Sequence, residues 1–158
     1  MKKISFVSLA VFLLDRITKM LVTNYFQLNV RNKVINKFFY ITNCHNEGAA
    51  FSLFSGNIIF LILITLILLF ILYRKINSEK NISKISIISY GILLGGIIGN
   101  LFDRMFFGYV IDFLDFVIFK YNFPIFNFAD ISIVIGAFLL LIFEGSDKSE
   151  QRDKTISN

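Results

Sequence analysis

The 158-residue chain has one cysteine, one proline, one histidine and no tryptophan, and only 17% of its residues are charged. The single thiol, Cys44, excludes an internal disulfide and any multi-cysteine metal centre. His45 stands beside it, but one cysteine and one histidine are too few ligands for a zinc site, so neither a metal nor a cofactor is expected. No proline- or glycine-rich linker, low-complexity tract or internal repeat divides the sequence, which makes one domain over residues 1–158 the economical reading. Scarce charge, 56% hydrophobic residues and a mean hydropathy of +0.70 exclude an ordinary soluble domain of this length and point to an integral membrane protein.

A bilayer core of about 30 Å takes roughly 20 apolar residues per helix. Four runs approach that length, at about Ser5 to Tyr25, Asn57 to Tyr73, Ile82 to Phe102 and Phe128 to Phe143. None alternates strictly as a membrane β-barrel strand would, and runs of this kind favour helices, whose backbone groups satisfy one another internally. The expected fold is an all-α membrane protein with four transmembrane helices. The basic start "MKKISFVSLAVFLL" also fits a signal peptide, but no small-residue cleavage site follows and "DRITK" continues the run, so it is read as helix one. The tail from about 146 to 158 is polar and expected to be flexible.

Charge in the loops sets the orientation. Lys2 and Lys3, then Arg74, Lys75, Lys80 and Lys84, then Lys148, Arg152 and Lys154 flank the helices on one side, which the positive-inside rule assigns to the cytoplasm with both termini. The opposite segments carry Arg31, Lys33, Lys37 and Lys120, so the asymmetry is imperfect. A net charge of +5 needs no nucleic-acid partner, because basic residues beside membrane helices set topology and attract anionic lipid.

Against this background "GYVIDFLDFVIFKYNFPIFNFAD", Gly108 to Asp130, keeps three aspartates in an apolar outer segment. Helix three reads outward and helix four back inward, which places Asn100, Asp103 and Arg104 at the same depth as Asn127 and Asp130, with Asp112 on the connection. A polar pocket at the outer surface follows. Two carboxylates in a poorly hydrated site cannot both ionise cheaply, so one keeps a proton. Such a pair can activate water and protonate a leaving amine, with asparagine and arginine steadying the oxyanion. Structural uses of the same residues stay open: an aspartate near a helix end can cap it or pair with arginine. Asp103 beside Arg104 reads as a local pair, and Asp115 shares a face with Asp112 only if the segment is helical. A relay of Asp15, Asp112 and Asp130 in an ion-coupled transporter is a rival, weakened by the missing repeat; a noncatalytic scaffold is another.

In "DRITK", Asp15 and Lys19 lie four apart and can pair within helix one while pointing at the same pocket. Gly91, Gly95 and Gly99 recur every four residues, a device for close helix approach. Phe39 to Thr42 are β-formers ahead of a Gly-Ala-Ala turn, and a short sheet on the membrane surface is expected there.

"DRITK", "NEGAAFS", "GGIIGNLFDRMFFGYVIDFLDF" and "FPIFNFAD", colinear from helix one to helix four, resemble the blocks of bacterial lipoprotein signal peptidases, the signal peptidase II family of intramembrane aspartyl peptidases. The resemblance implies a catalytic dyad of Asp112 and Asp130. It further implies a substrate site shaped by Asn46, Gly48, Asn100, Asp103, Arg104 and Asn127, with Asp15 and Lys19 in support. It implies a small extracytoplasmic β-sheet cradle, a monomer in the bacterial inner membrane, and an active site near the outer face. The substrate class it implies is a prolipoprotein cut just before a cysteine that already carries a diacylglyceryl group. Acyl chains hold such a substrate in the membrane by about 0.8 kcal/mol per buried CH₂, so a gap between helices open sideways to the bilayer would admit it. Two departures stand out: relatives often carry Arg where His45 stands, and many have Ser after the "FNFAD" block where Ile131 stands.

Overall fold

The computed structural model describes residues 2–48, 54, 56–79 and 82–156, with side chains described as far as 143. The Gly-Ala-Ala turn beyond Gly48, Lys80, and the side chains of Lys148, Arg152 and Lys154 lie outside the described residues. Among the described residues four helices and four strands follow in chain order: α1 (Lys2–Tyr25), β1 (Arg31–Ile35), β2 (Phe39–Asn46), α2 (Ile58–Ser78), α3 (Lys84–Phe107), β3 (Val110–Ile118), β4 (Tyr121–Asn122) and α4 (Phe128–Ile156). The four apolar runs are thus the four helices. The last helix runs to Ile156, into the polar tail of about 146 to 158 that is expected to be flexible. Among the described residues two helices are by themselves long and apolar enough to cross a bilayer, α2 and α3. The apolar part of α4 is shorter, Phe128–Phe143, and α1 carries Asp15, Arg16 and Lys19 along its length.

Helix α3 is the axis of the bundle. Its ends are set by local chemistry: the Ser83 hydroxyl accepts from the Ser86 N–H at 3.1 Å, and Gly108, at φ 79, takes the left-handed turn that stops the helix. Its glycines form two contact faces. A Cβ on Gly91 would sit 2.5 Å from the Val7 side chain, on Gly95 2.7 Å from the Ser8 carbonyl, and on Gly99 2.6 Å from Asp15 Oδ2, so this stripe receives α1 as the spacing predicted. Gly96, one residue off the stripe, receives α4, with a Cβ falling 2.5 Å from the Ala129 carbonyl. Helix α2 buries only Leu61 and Ile76 and presents residues such as Ile59 and Phe70 outward, the pattern of a helix surrounded by lipid.

The sheet is antiparallel in the order β1-β2-β3-β4. The strand expected at Phe39 to Thr42 is present and runs on to Asn46, pairing Phe39 with Phe116, Cys44 with Asp112 and Asn46 with Val110. The segment around Asp112 and Asp115 is also strand. Residues three apart on a strand point to opposite faces, so the two carboxylates face apart rather than sharing a helical stripe.

Replacing Gly99 with valine should drive Asp15 out of its place between α1, α3 and α4. Overpacking of this kind costs about 1–3 kcal/mol, and thermal unfolding in detergent should show a midpoint several degrees lower. An unchanged midpoint would mean that the helices do not need to touch at this point.

Candidate active site

The C-terminal halves of α1 and α3 and the start of α4 meet at an ion cluster. Lys19 Nζ lies 3.0 Å from Asp15 Oδ2 and 2.7 Å from Asp103 Oδ2, and Arg16 pairs with both acids. All but Arg16 are almost fully buried. Two acids and two bases balance, which offsets the cost of taking charge out of water. The expected Asp15–Lys19 pair is therefore real, but the local Asp103–Arg104 pair is not. Neighbouring residues on a helix point about 100° apart. Asp103 accordingly turns to α1 and accepts from the Ile111 N–H at 3.3 Å, while Arg104 donates to the Gly48 carbonyl at 3.1 Å.

Lys19 donates its remaining bond to Asn100 Oδ1, at 3.0 Å. That orients the amide: Asn100 Nδ2 faces Asp130 Oδ1 at 2.7 Å, and Asn100 Oδ1 also accepts from Asn127 Nδ2 at 3.2 Å. Asn127 Nδ2 in turn donates to Asp112 Oδ1 at 2.6 Å, and Asn46 Nδ2 donates to Asp112 Oδ2 at 2.8 Å. Asn46 is itself held by the Gly48 N–H, which donates to its Oδ1 at 2.9 Å.

The start of α4 brings Asp130 into this network. Asn127 Oδ1 accepts from the Asp130 N–H at 2.9 Å, and Asp130 Oδ2 accepts from the Asn127 N–H at 3.1 Å, a reciprocal capping box. The Ala129 N–H, also in the first turn and buried, donates to Asp15 Oδ1 at 3.1 Å. The capping role that sequence left open for Asp130 is filled by one of its oxygens, while the other remains on the cavity side with Asn100.

Asp112 and Asp130 line one cavity of about 490 Å³. Asn46, Asn100 and Arg104 share its polar floor; Phe123 to Phe126 and the α4 residues Ile131, Val134 and Ile135 make an apolar wall. Burial, and then the charge of Asp130, push the Asp112 carboxyl up from its ordinary 3.8 to about 7, against the lowering effect of the Asn46 and Asn127 hydrogen bonds. Asp15 and Asp103 lie behind the floor, outside the cavity. Among the described residues no group of three or more His, Cys, Asp or Glu could hold a metal ion.

Sequence reasoning missed three parts of this arrangement. Arg16 completes the ion cluster, and its place between Asp15 and Lys19 in "DRITK" was the available signal. The cavity wall at Phe123 to Phe126 had none beyond its aromatic content. Asp115, whose role was undecided, is buried on the other face of β3, where it accepts from Arg31 Nε at 2.6 Å and Thr42 Oγ1 at 2.8 Å; the Arg31 guanidinium also reaches Asn122. One guanidinium thereby ties β1 to β3 and β4. His45, where relatives often carry Arg, stacks on Tyr109 with ring centroids 3.7 Å apart, and burial lowers its pKa.

A family model described as signal peptidase (SPase) II matches residues 7–144. The chain belongs to the signal peptidase II family. It is 42% identical over 146 residues to the lipoprotein signal peptidase of Wigglesworthia glossinidia brevipalpis, covering 89% of this chain and 92% of that one. To the lipoprotein signal peptidase of Staphylococcus carnosus (strain TM300) it is 39% identical over 137 residues, covering 87% and 86%. A bacterial membrane enzyme solved by the in meso method at 2.3 Å resolution superposes with a TM-score of 0.85 at 33% identity, over 95% of this chain and 92% of that one. As a signal peptidase II the chain is a peptidase, and its apolar helices agree with a membrane-embedded enzyme.

In this signal peptidase II, capping and positioning by Asn127 can be separated. Asn127→Ser keeps an oxygen able to cap α4 but removes the donor to Asp112 without adding charge. The thermal midpoint should fall by no more than several degrees, while peptidase activity falls at least about 10²-fold if the Asp112 carboxyl it positions meets the substrate. Full activity in a folded Asn127→Ser protein would show that the amide bridge is dispensable.

Proposed function

We propose that the chain is an aspartic endopeptidase that removes signal peptides from diacylglyceryl-modified prolipoproteins, cutting just before the lipidated cysteine. The observation that carries this reading is the placement of Asp112 and Asp130 in one cavity with polar amide partners and, among the described residues, no cation bonded to either. The curated relatives are named lipoprotein signal peptidases, which supports the substrate class.

Below about pH 7 Asp112 holds a proton. A scissile amide on the cavity floor places its carbonyl near that carboxyl and its other face towards a water held by Asp130. Asp130 takes a proton as the water attacks and Asp112 donates to the carbonyl oxygen; the diol intermediate then collapses as Asp130 gives its proton to the leaving nitrogen and Asp112 takes one back from a diol hydroxyl, which restores both carboxyls. Asn46, Asn100 and Arg104 hold the peptide and the developing charge with donors already in position. Asp15, Lys19 and Asp103 act through Asn100 and the α4 cap, and Gly48 and Asn127 position Arg104, Asn46 and Asp112. No step calls for a metal or cofactor.

The apolar wall suits the signal helix and acyl chains of a substrate that arrives by diffusion within the bilayer. The same reading has four helices crossing the bacterial inner membrane, both termini in the cytoplasm, the sheet and site at the outer face, and a monomer of one domain as the working unit.

Purified protein in detergent should cut a lipidated precursor peptide without added metal and in the presence of a chelator. Asp112→Asn and Asp130→Asn should each lower kcat by about 10²–10⁴-fold, the usual contribution of a general acid or base, with the thermal midpoint retained. Cutting that survives both substitutions, or stops with a chelator, would remove the assignment. A second measurement is the pH profile. Because Asp112 must be protonated to donate, and its pKa is raised to about 7, kcat/KM should decline on the alkaline side with an apparent pKa near that value. A flat profile through pH 9 would deny Asp112 the role of acid.

A further inference from the structure

The β1–β2 and β3–β4 turns lie side by side at the end of the sheet remote from α3. The register shows it: Phe39 faces Phe116, so β2 begins where β3 is ending, while Asn46 faces Val110 at the other end, two residues beyond the Gly108 cap of α3. The Val117 N–H donates to the Phe38 carbonyl and links the turns directly, at 2.8 Å.

This far end combines three unusual features. Its large apolar side chains point outward, with Phe119 fully exposed and Tyr121 63% exposed, beside exposed Ile35, Phe38 and Phe123. Lys33, Lys37 and Lys120 are exposed among them, and none has an ion-pair partner among the described residues. Both turns also hold non-glycine residues in the left-handed region: Lys37 at φ 60, and the adjacent Phe119 and Lys120 at φ 49 and 67. A two-residue hairpin turn of this hand is relaxed with Asn-Gly and strained with Phe-Lys. The chain keeps an aromatic and a cation where folding alone favours neither.

We propose that this end of the sheet is a membrane anchor, with Phe38, Phe119 and Tyr121 lodged at the headgroup boundary of the outer leaflet and Lys33, Lys37 and Lys120 on the phosphates of anionic lipid. Aromatic rings with a polar rim settle at that depth, and lysines near an anionic surface gain from its potential. With Arg31, the three lysines are the residues that blur the inside–outside charge asymmetry; contact with lipid phosphate gives the lysines a use on the outer side. A β3 strand of nine residues spans roughly 26–30 Å, the reach from the Gly108 end that lodging the anchor in the bilayer beside the bundle requires. The segment Phe123 to Phe126, which walls the cavity, runs between this anchor and α4, so the anchor fixes one side of the cleft against the bilayer.

The absence of tryptophan makes a direct test available. F119W in the full-length protein introduces one indole, read in phosphatidylcholine vesicles and in vesicles where a third of that lipid is phosphatidylglycerol; Y121W serves if the first variant does not fold. The expected result is blue-shifted emission quenched by brominated acyl chains, more strongly with phosphatidylglycerol. Each lysine near an anionic surface is worth about fivefold, so glutamine at Lys33, Lys37 and Lys120 should weaken the phosphatidylglycerol-dependent insertion by about two orders of magnitude. Water-like emission without lipid quenching overturns the proposal, as does a blue shift that appears only when a second protein is added. The readout needs no cleavage, so it is independent of the proteolytic assignment.

Discussion

The ammonium of Lys19 is the point from which the rest of the site is fixed. It is 1% exposed and its three donors go to Asp15, Asp103 and Asn100. A buried cation is costly unless every donor is met and the local charge balances, and Arg16 supplies the second positive charge that lets two carboxylates stay beside it. Because Lys19 takes the Asn100 oxygen, the Asn100 nitrogen has to face Asp130, and the direction of every later donor in the chain of amides follows. Lys19 and Arg16 thus stand one residue behind the acidic pair, and among the described residues the Asp112 oxygens receive only neutral amide donors. A lysine bonded directly to Asp112 would hold it ionised; amide donors lower its pKa less than burial and Asp130 raise it.

A second constraint operates at the start of α4. Asp130 has one oxygen committed to the Asn127 N–H and one facing Asn100 and the cavity. The helix cap and the candidate base are the same side chain, so its position is set by backbone geometry rather than by a loose rotamer. Asp15 completes the first turn by accepting from Ala129, which is possible only because α1 crosses α3 at Gly99 with no side chain between. Close packing and site geometry are here one requirement.

The parts of this arrangement legible in the sequence were those where burial makes charge or bulk expensive. Four apolar runs announced four helices, and Asp112 and Asp130 stood out because carboxylates are rare in such surroundings. The Gly91-Gly95-Gly99 stripe had a period that could be read. Gly96 did not, since a single off-stripe glycine carries no period, although it admits α4 as closely as the others admit α1. Asp115 could not be placed because its partners Arg31 and Thr42 come from strands whose register no local pattern specifies, and a bulge between Ile41 and Cys44 shifts that register further. Adjacency misled in the case of Asp103 and Arg104, where helical rotation sends neighbours to different partners.

The cavity wall joins these threads. A raised Asp112 pKa needs water kept away, and the residues that do so, Phe123 to Phe126, are not on a helix but on the return from β4 to α4. Their backbone is held by bonds to β3, with the Phe123 N–H donating to Phe116 and the Phe126 carbonyl accepting from Phe113 and Leu114. The position of β3 depends in turn on Arg31 and Asp115, on the face turned away from the site. An ion pair between an exposed guanidinium and a buried carboxylate, away from the cavity, therefore helps decide how well the cavity is covered, because it fixes the sheet on which both Asp112 and its apolar cover are carried.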